Sequence, residues 1–338
     1  MFRQPWVVSA VELSYPLAAA AVAQTRCYTE KRVRGTPLRD HRRKPRTFYF
    51  FMLFVQLIVT PIAANGGESE QNLWYTGKIS DAHNHLEGSV DTEEVIQALD
   101  RSGVDRIVIM VKEPGGWTDD HALKFHARYP DRVVPGIGFQ NRGWGRQQPR
   151  FIQQVREKVT SGQFKWLGEA RLRAHETKQI IHPQSGMFRE VLELSARSGL
   201  PFTIHNNHPL SEAEVEAFRA ALAESPKAVV VWAHWCGLST PSAVRPFLEQ
   251  FPNLHCDLAW IHKPPAEVVN PLVDNEGHFL PAWKELIEAF PDRFLVGMDG
   301  KYGTYQNRAN TYRKALGRLG PTTARKVATE NFHRILPK

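Results

Sequence analysis

From about residue 78 onward the chain alternates short apolar runs with amphipathic stretches. The runs at 78–86, 106–112, 132–139, 164–172, 201–208, 228–235, 254–260 and 294–300 are brief and rich in β-branched or aromatic residues, which predicts eight strands. Between them, apolar positions recur at helical spacing over 92–102, 119–129, 151–160, 187–198, 212–223, 242–251 and 282–290. Asp91, Ser211 and Thr240 each put an oxygen acceptor ahead of the first free amides of a helix. Ser-Gly or Tyr/Phe-Pro-Asp follows several of these helices and stops them. Near-continuous apolar strands alternating with helices predict a parallel sheet covered by helices. Eight repeats favour closure, so the expected fold class is α/β, a single (β/α)8 TIM barrel. No strand is followed by G-x-G-x-x-G, which argues against a dinucleotide fold. Residues 308–336 would form the closing helical layer, interrupted near Gly320-Pro321.

Residues 1–65 follow a different pattern. The basic cluster His-Arg-Arg-Lys-Pro-Arg at 41–46 precedes an apolar run at 48–60, and small residues follow through Gly66. That order is the order of a signal peptide, so residues 1–65 are read as a leader and 66–338 as the exported domain, periplasmic or secreted, beginning near Asn65. The basic cluster also lies on the side expected of a cytoplasmic flank. The competing reading is an N-terminal membrane anchor, although the run falls short of the roughly 20 residues that span a bilayer. A start codon downstream of Met1 would account for the forty residues in front.

The leader also carries the charge. It holds 10 of the 43 Lys and Arg and 3 of the 35 Asp and Glu, leaving 33 basic and 32 acidic residues in the body. A nearly neutral body gives no electrostatic reason to expect nucleic acid as a partner, and a small molecule is the expected substrate. Oligomerisation is left open. Of the three cysteines, Cys27 lies in the leader, and Cys236 and Cys256 lack C-x-x-C spacing. Neither a zinc knuckle nor a redox pair is suggested, and both are expected to be buried small hydrophobes.

The chemistry gathers at the strand ends. The first strand ends in Asp81-Ala82-His83-Asn84-His85, and alternation along a strand sends His83 and His85 to one face. The other strands end at Glu169, His205, His234 and Asp299. In a closed barrel these ends form one ring, on the face where such barrels place catalysis. Imidazole and carboxylate without thiolate suit a divalent first-row ion, zinc first.

With these pieces the chain resembles the amidohydrolase superfamily, in particular the amidohydrolase-related (amidohydrolase 2) branch that includes aminocarboxymuconate-semialdehyde decarboxylase. The matching segments are 81–85, Gly168-Glu169, the His205 strand, Ala233-His234, Gly297-Met298-Asp299 and Asn331 to Leu336. The resemblance implies that His83, His85 and His205 ligate the metal. It implies that Asp299 is both a ligand and the acceptor of a proton from water, and that His234 orients that water or the substrate. Glu169 stands where some relatives place a bridging or single carboxylate ligand; a plain pairing with Arg171 is the other reading. Some members of the family work without metal. Around the same mouth Lys112, Arg171, Arg173, Trp235, Trp260, His262, Lys301 and Tyr302 would suit a small anionic or cyclic molecule. His208 is expected to be a loop residue. Hydrolysis of an ester, lactone or amide is the expected reaction. A nonoxidative decarboxylase and a noncatalytic exported binding protein are the alternatives, and the neutral body disfavours a nuclease.

Overall fold

The computed structural model describes residues 73–338 apart from 87, 113–115, 174–178, 207–209 and 262–270. The leader, His175, His208 and His262 lie outside the described residues.

Strands β1 (Ile79–Asp81) and β2 (His85–Leu86) occupy the first position and both pair with β3 (Val104–Val111). There follow β4 (Val133–Ile137), β5 (Trp166–Arg171), β6 (Phe202–His205), β7 (Val230–Trp232), β8 (Leu254–Asp257) and β9 (Phe294–Leu295), each parallel to its neighbours in sequence. The ring is joined by backbone bonds between its last and first segments. Ala82 N–H donates to Val296 O at 2.8 Å, and Asp299 N–H donates to His83 O at 2.7 Å. The result is the expected (β/α)8 barrel.

Alternation sorts the strand side chains into two apolar layers. Val108, Met110, Val134, Trp166, Val231 and Leu295 form an inner cluster with Phe332 and Ile335 from the helix Asn331–Ile335. The Trp166 ring stacks on Phe332, centroids 6.1 Å apart, so the closing helical layer plugs the floor. Ile107, Ile109, Leu167, Phe202, Ile204 and Phe294 face outward into the larger core shared with the helices. The expected helix starts hold. Asp91 accepts from Glu93 N–H and Thr240 from Ala243 N–H, while Ser211 and Glu214 form a reciprocal capping box.

One expectation is corrected. Cys236 and Cys256 are fully buried, but they are not separate hydrophobes: a disulfide joins them, with Cα atoms 5.0 Å apart. They are 20 residues apart in sequence, and only the pairing of β7 with β8, which sets Trp232 beside Cys256, brings them together.

Candidate metal centre

His83 and His85 reach the mouth because the first strand is broken. β1 stops at Asp81, and the chain turns before β2 resumes at His85. The buried Asp81 carboxylate holds that turn. It accepts from His83 N–H at 3.0 Å, Asn84 Nδ2 at 3.0 Å, Met298 N–H at 2.8 Å and the Tyr305 hydroxyl at 2.6 Å. Asp81 therefore braces the backbone under the histidines. Burial pushes its carboxyl up to about 6, and these four donors pull the other way.

Both histidines are anchored by the same ring nitrogen. His85 Nδ1 donates to Met110 O at 2.8 Å, and His83 Nδ1 pairs with Asp257 Oδ2 at 2.9 Å. The Nε2 atoms of both are buried and have no hydrogen-bond partner. They face the same carboxylates. His85 Nε2 lies 3.3 Å from Glu169 Oε2 and 3.6 Å from Asp299 Oδ1. His83 Nε2 lies 3.5 Å from Glu169 Oε1 and 4.0 Å from Asp299 Oδ1.

Glu169 reaches the interior through a register shift between Leu167 and Ala170. Leu167 and Ala170 both pack in the outer core, so one extra residue turns Glu169 inward. Gly168 permits it: its φ is 119°, and a Cβ would come within 2.6 Å of Thr203 O. Inside, Glu169 contacts His205 Nδ1 and accepts from Gln140 Nε2.

His234 also arrives by a departure from alternation. Trp232 packs in the outer core, and His234 two residues later would share its face. Instead His234, Trp235, Cys236, Gly237 and Leu238 all have left-handed φ, between 41° and 75°. That conformation costs about 1–2 kcal/mol per non-glycine residue, so the surroundings must impose it. Asp257 Oδ1 accepts from His234 N–H at 2.9 Å, and the disulfide ties Cys236 to the residue before Asp257. His234 Nε2 then lies 2.9 Å from His205 Nδ1 and 3.8 Å from Asp299 Oδ2. Trp260 covers its ring, with centroids 3.9 Å apart.

Asp299 follows β9 with φ 37°. Arg308 holds this bend from outside, donating to Met298 O at 2.9 Å and Asp299 O at 3.3 Å. Tyr302 donates to His85 O at 2.8 Å, and Tyr312 donates to Gly297 O at 2.5 Å. One helical segment thus props both sides of the barrel seam at the mouth.

The electrostatics follow from burial of so many polar groups. Burial raises the carboxyls of Glu169 and Asp299, but the facing imidazoles outweigh it and hold both below the usual carboxylate range. Burial lowers His205 to about 4 against the pull of Glu169, and burial with Lys112 lowers His85. Burial also disfavours charge on His83, yet Asp257, Glu169 and Asp299 reverse that and raise it well above its ordinary value. The pocket therefore calls for positive charge at its centre.

A divalent cation fits that demand. Neutral His85 gives its only ring proton to Met110 O, so the lone pair on Nε2 points at the carboxylates. Bonds of about 2.0–2.2 Å to nitrogen and oxygen put tetrahedral donors roughly 3.3–3.6 Å apart, close to the spacings above. The ligand atoms of His83, His85 and Asp299 all lie within 4.8 Å of one another, as do those of His83, Glu169 and His234.

The structure thus brings together His83, His85, Glu169, His205, His234 and Asp299. Lys112, Arg171 and Trp260 are half-buried around the opening. Arg171 and Lys112 are near enough to bear electrostatically on His205 and His85 respectively. Trp235 does not line the mouth; it is fully buried in the core. Asp257 and Gln140 were missed from sequence. Asp257 was legible, since a carboxylate ends β8 at the level of the other site residues. Gln140 carried no such signal, because an amide after a strand is ordinary.

Residues 80–300, well over half of the chain, match the family profile of TatD related DNase. A search of curated proteins finds no match. Among solved structures, the uncharacterized TIM-barrel protein Bb4693 from Bordetella bronchiseptica is similar at 12% identity and TM-score 0.58, covering 76% of this chain and 98% of its own. The TatD homolog YjjV from Escherichia coli K12 is similar at 14% identity and TM-score 0.54, covering 76% and 97%. A 2,6-dihydroxybenzoate decarboxylase is similar at 12% identity and TM-score 0.52, covering 77% and 99%. At these identities the likeness is one of fold.

Proposed function

Because this chain belongs to the TatD related DNase family, we propose that it is a metal-dependent hydrolase whose cation sits among His83, His85, His205, Glu169 and Asp299, zinc being the first candidate. The observation that carries the proposal is the pair of bare, buried Nε2 atoms on His83 and His85, facing two carboxylates. A divalent ion held by these residues would supply Lewis acidity and would lower the pKa of water at the site from 15.7 toward about 7. The chain supplies the rest. The Asp299 side chain is 13% exposed, against 2% for Glu169, so it is the carboxylate that meets incoming water and takes its proton. His234, 3.8 Å from Asp299 and capped by Trp260, orients the attacked group and steadies its developing negative charge.

The substrate we favour is a small carboxylated or cyclic molecule with an ester, lactone or amide bond. Lys112 and Arg171 would bind its anionic group and Trp260 its flat face. The family's description favours a second reading, phosphodiester hydrolysis of DNA; the near-neutral body weighs against it. Nonoxidative decarboxylation would use the same ligands. We also propose that the mature domain is exported. The leader pattern and the buried disulfide both suit an oxidising compartment. Among the described residues no helix is long and apolar enough to cross a membrane.

The deciding experiment measures metal content of the purified domain and turnover on lactones, esters, carboxylated aromatics and single-stranded DNA. We expect bound divalent metal and turnover in the first group. His83→Ala with His85→Ala should lose the metal and fall to the uncatalysed rate while the barrel stays folded. Full metal occupancy in that double variant would refute the ligand assignment, and DNA cleavage alone would replace the favoured substrate.

A further inference from the structure

We propose that the Cys236–Cys256 disulfide is a positioning clamp for the metal centre, so that the site is complete only when the bridge is oxidised. The proposal rests on the metal-centre reading above and on where the bridge lies. Cys236 is two residues after His234, and Cys256 is the residue before Asp257. Asp257 uses one oxygen for His234 N–H and the other for His83 Nδ1. Bridge, backbone and hydrogen bond therefore close one small ring through His234, Trp235, Cys236, Cys256 and Asp257. That ring fixes the distance between the carboxylate that orients His83 and the turn that carries His234.

The turn needs an external hold. Residues 234–238 lie in the left-handed region, and only Gly237 is suited to it. Gly237 is also pressed against its neighbours, since a Cβ there would come 2.4 Å from Asn206 Oδ1 and 2.7 Å from Trp232 Nε1. Without the covalent tie, the Asp257 bond to His234 N–H is the hold that remains on this backbone from β8. The bridge is fully buried, so it acts through geometry inside the barrel and not by tying down a surface loop.

Reduction by a dithiol breaks the bond. The dithiol gives up two electrons and two protons, Cys236 and Cys256 become thiols, and the reductant leaves as its own disulfide. In the reduced chain the turn relaxes toward right-handed φ, His234 leaves Trp260 and Asp257 loses its bond to His234 N–H. His83 is then held less firmly, and metal affinity falls with it. A chain still in a reducing cytosol would carry an incomplete site, and oxidation after export would complete it.

The test compares oxidised and dithiothreitol-reduced protein, with thiols counted by alkylation and mass spectrometry. Two quantities are read: deuterium uptake by peptides covering 232–240 and 254–260, and zinc affinity by competition with a chelating dye. We expect at least about tenfold faster exchange in those two peptides, unchanged protection in β3 to β5, and at least about tenfold weaker zinc binding. Reoxidation should restore both, and Cys236→Ala with Cys256→Ala should reproduce the reduced state without a reductant that can bind zinc. Exchange and affinity each within twofold would overturn the proposal. Faster exchange with unchanged zinc affinity would do so as well, making the bridge a local staple. Loss of protection throughout the barrel would make it a global staple and also overturn the clamp. If neither form binds zinc the metal-centre reading fails on its own, and the clamp is overturned with it because it has nothing to position.

Discussion

The mouth and the floor of this barrel are equally buried, yet they solve burial in opposite ways. At the floor the polar atoms are paired, His255 Nε2 apart. Trp166 Nε1 donates to Thr203 Oγ1 at 2.7 Å, and Ser80 Oγ donates to Asp105 at 2.7 Å while meeting Thr329 Oγ1 at 2.8 Å. The remaining space is filled by Phe332 and Ile335. At the mouth, ring nitrogens with no partner converge on carboxylates, and the backbone runs left-handed at His234, Trp260 and Asp299. Stability accounts for the first arrangement. The second opposes stability and makes sense as a place for a ligand. His255 sharpens the contrast. Its Nε2 is also buried without a partner, but the charged groups bearing on it are Arg334 and Arg293. An orphaned nitrogen alone marks no site; convergence with carboxylates does.

Among single substitutions Asp299→Asn gives the largest expected effect, and it acts on one end only. Asparagine tolerates the positive φ at this position, so the variant should fold. If Asp299 accepts the proton from water, kcat should fall by about 10²–10⁴-fold even at full metal occupancy. The check is kcat at saturating metal with occupancy from elemental analysis. A fully loaded variant within a few-fold of wild type would make Asp299 a ligand with no base role.

Phe332→Ala tests the opposite end. The ring is buried against Trp166 in the inner cluster, and its loss should cost about 3–5 kcal/mol of stability. Turnover per folded molecule should stay within twofold, because the site rests on Asp81, Tyr305 and Arg308 and not on the floor. Urea unfolding and kcat measured below the transition separate the two quantities. A large fall in kcat with little loss of stability would break the division between the ends.

The same division explains what the sequence could tell. The barrel was legible because eight apolar runs at regular spacing have few other parallel arrangements, and the caps at Asp91, Ser211 and Thr240 mark helix starts locally. His83, His85, His205 and Asp299 were legible as polar residues at the ends of apolar strands. Glu169 and His234 were read at strand ends too, but what turns them inward depended on breaks in the pattern. Glu169 faces inward through a bulge, and His234 through a left-handed turn that no two-residue period announces. The disulfide was hidden because its partners meet across two strands. Trp235 shows the converse: at a strand end, alternation allows the mouth, but the left-handed turn folds it into the core. The sites of function are thus where local rules give way to tertiary contacts.

The smallest expected effect separates the two kinds of orphaned histidine. Burial, aided by Arg334 and Arg293, lowers His255 from 6.5 to about 3. The unfolded chain takes a proton as pH falls below about 6.5, and the folded chain does not until about 3. Its contribution is therefore complete above pH 6.5 and is lost progressively as pH falls toward 3, at up to about 1.4 kcal/mol per pH unit. His255→Leu removes that share. The Asn253 carbonyl it leaves behind still accepts from Val230 N–H at 3.0 Å, so no new polar atom is stranded. His205, lowered to about 4, gives a slope of its own between pH 6.5 and 4 in both proteins. The difference between the two stability curves therefore isolates His255. Urea titrations of metal-free protein at pH 7, 6, 5 and 4 should show a shallower acid loss in His255→Leu, with kcat of the metal-loaded enzyme at pH 7.5 within twofold of wild type. Parallel curves would mean that His255 is protonated in the folded barrel. A large loss of kcat would place it with the histidines of the mouth.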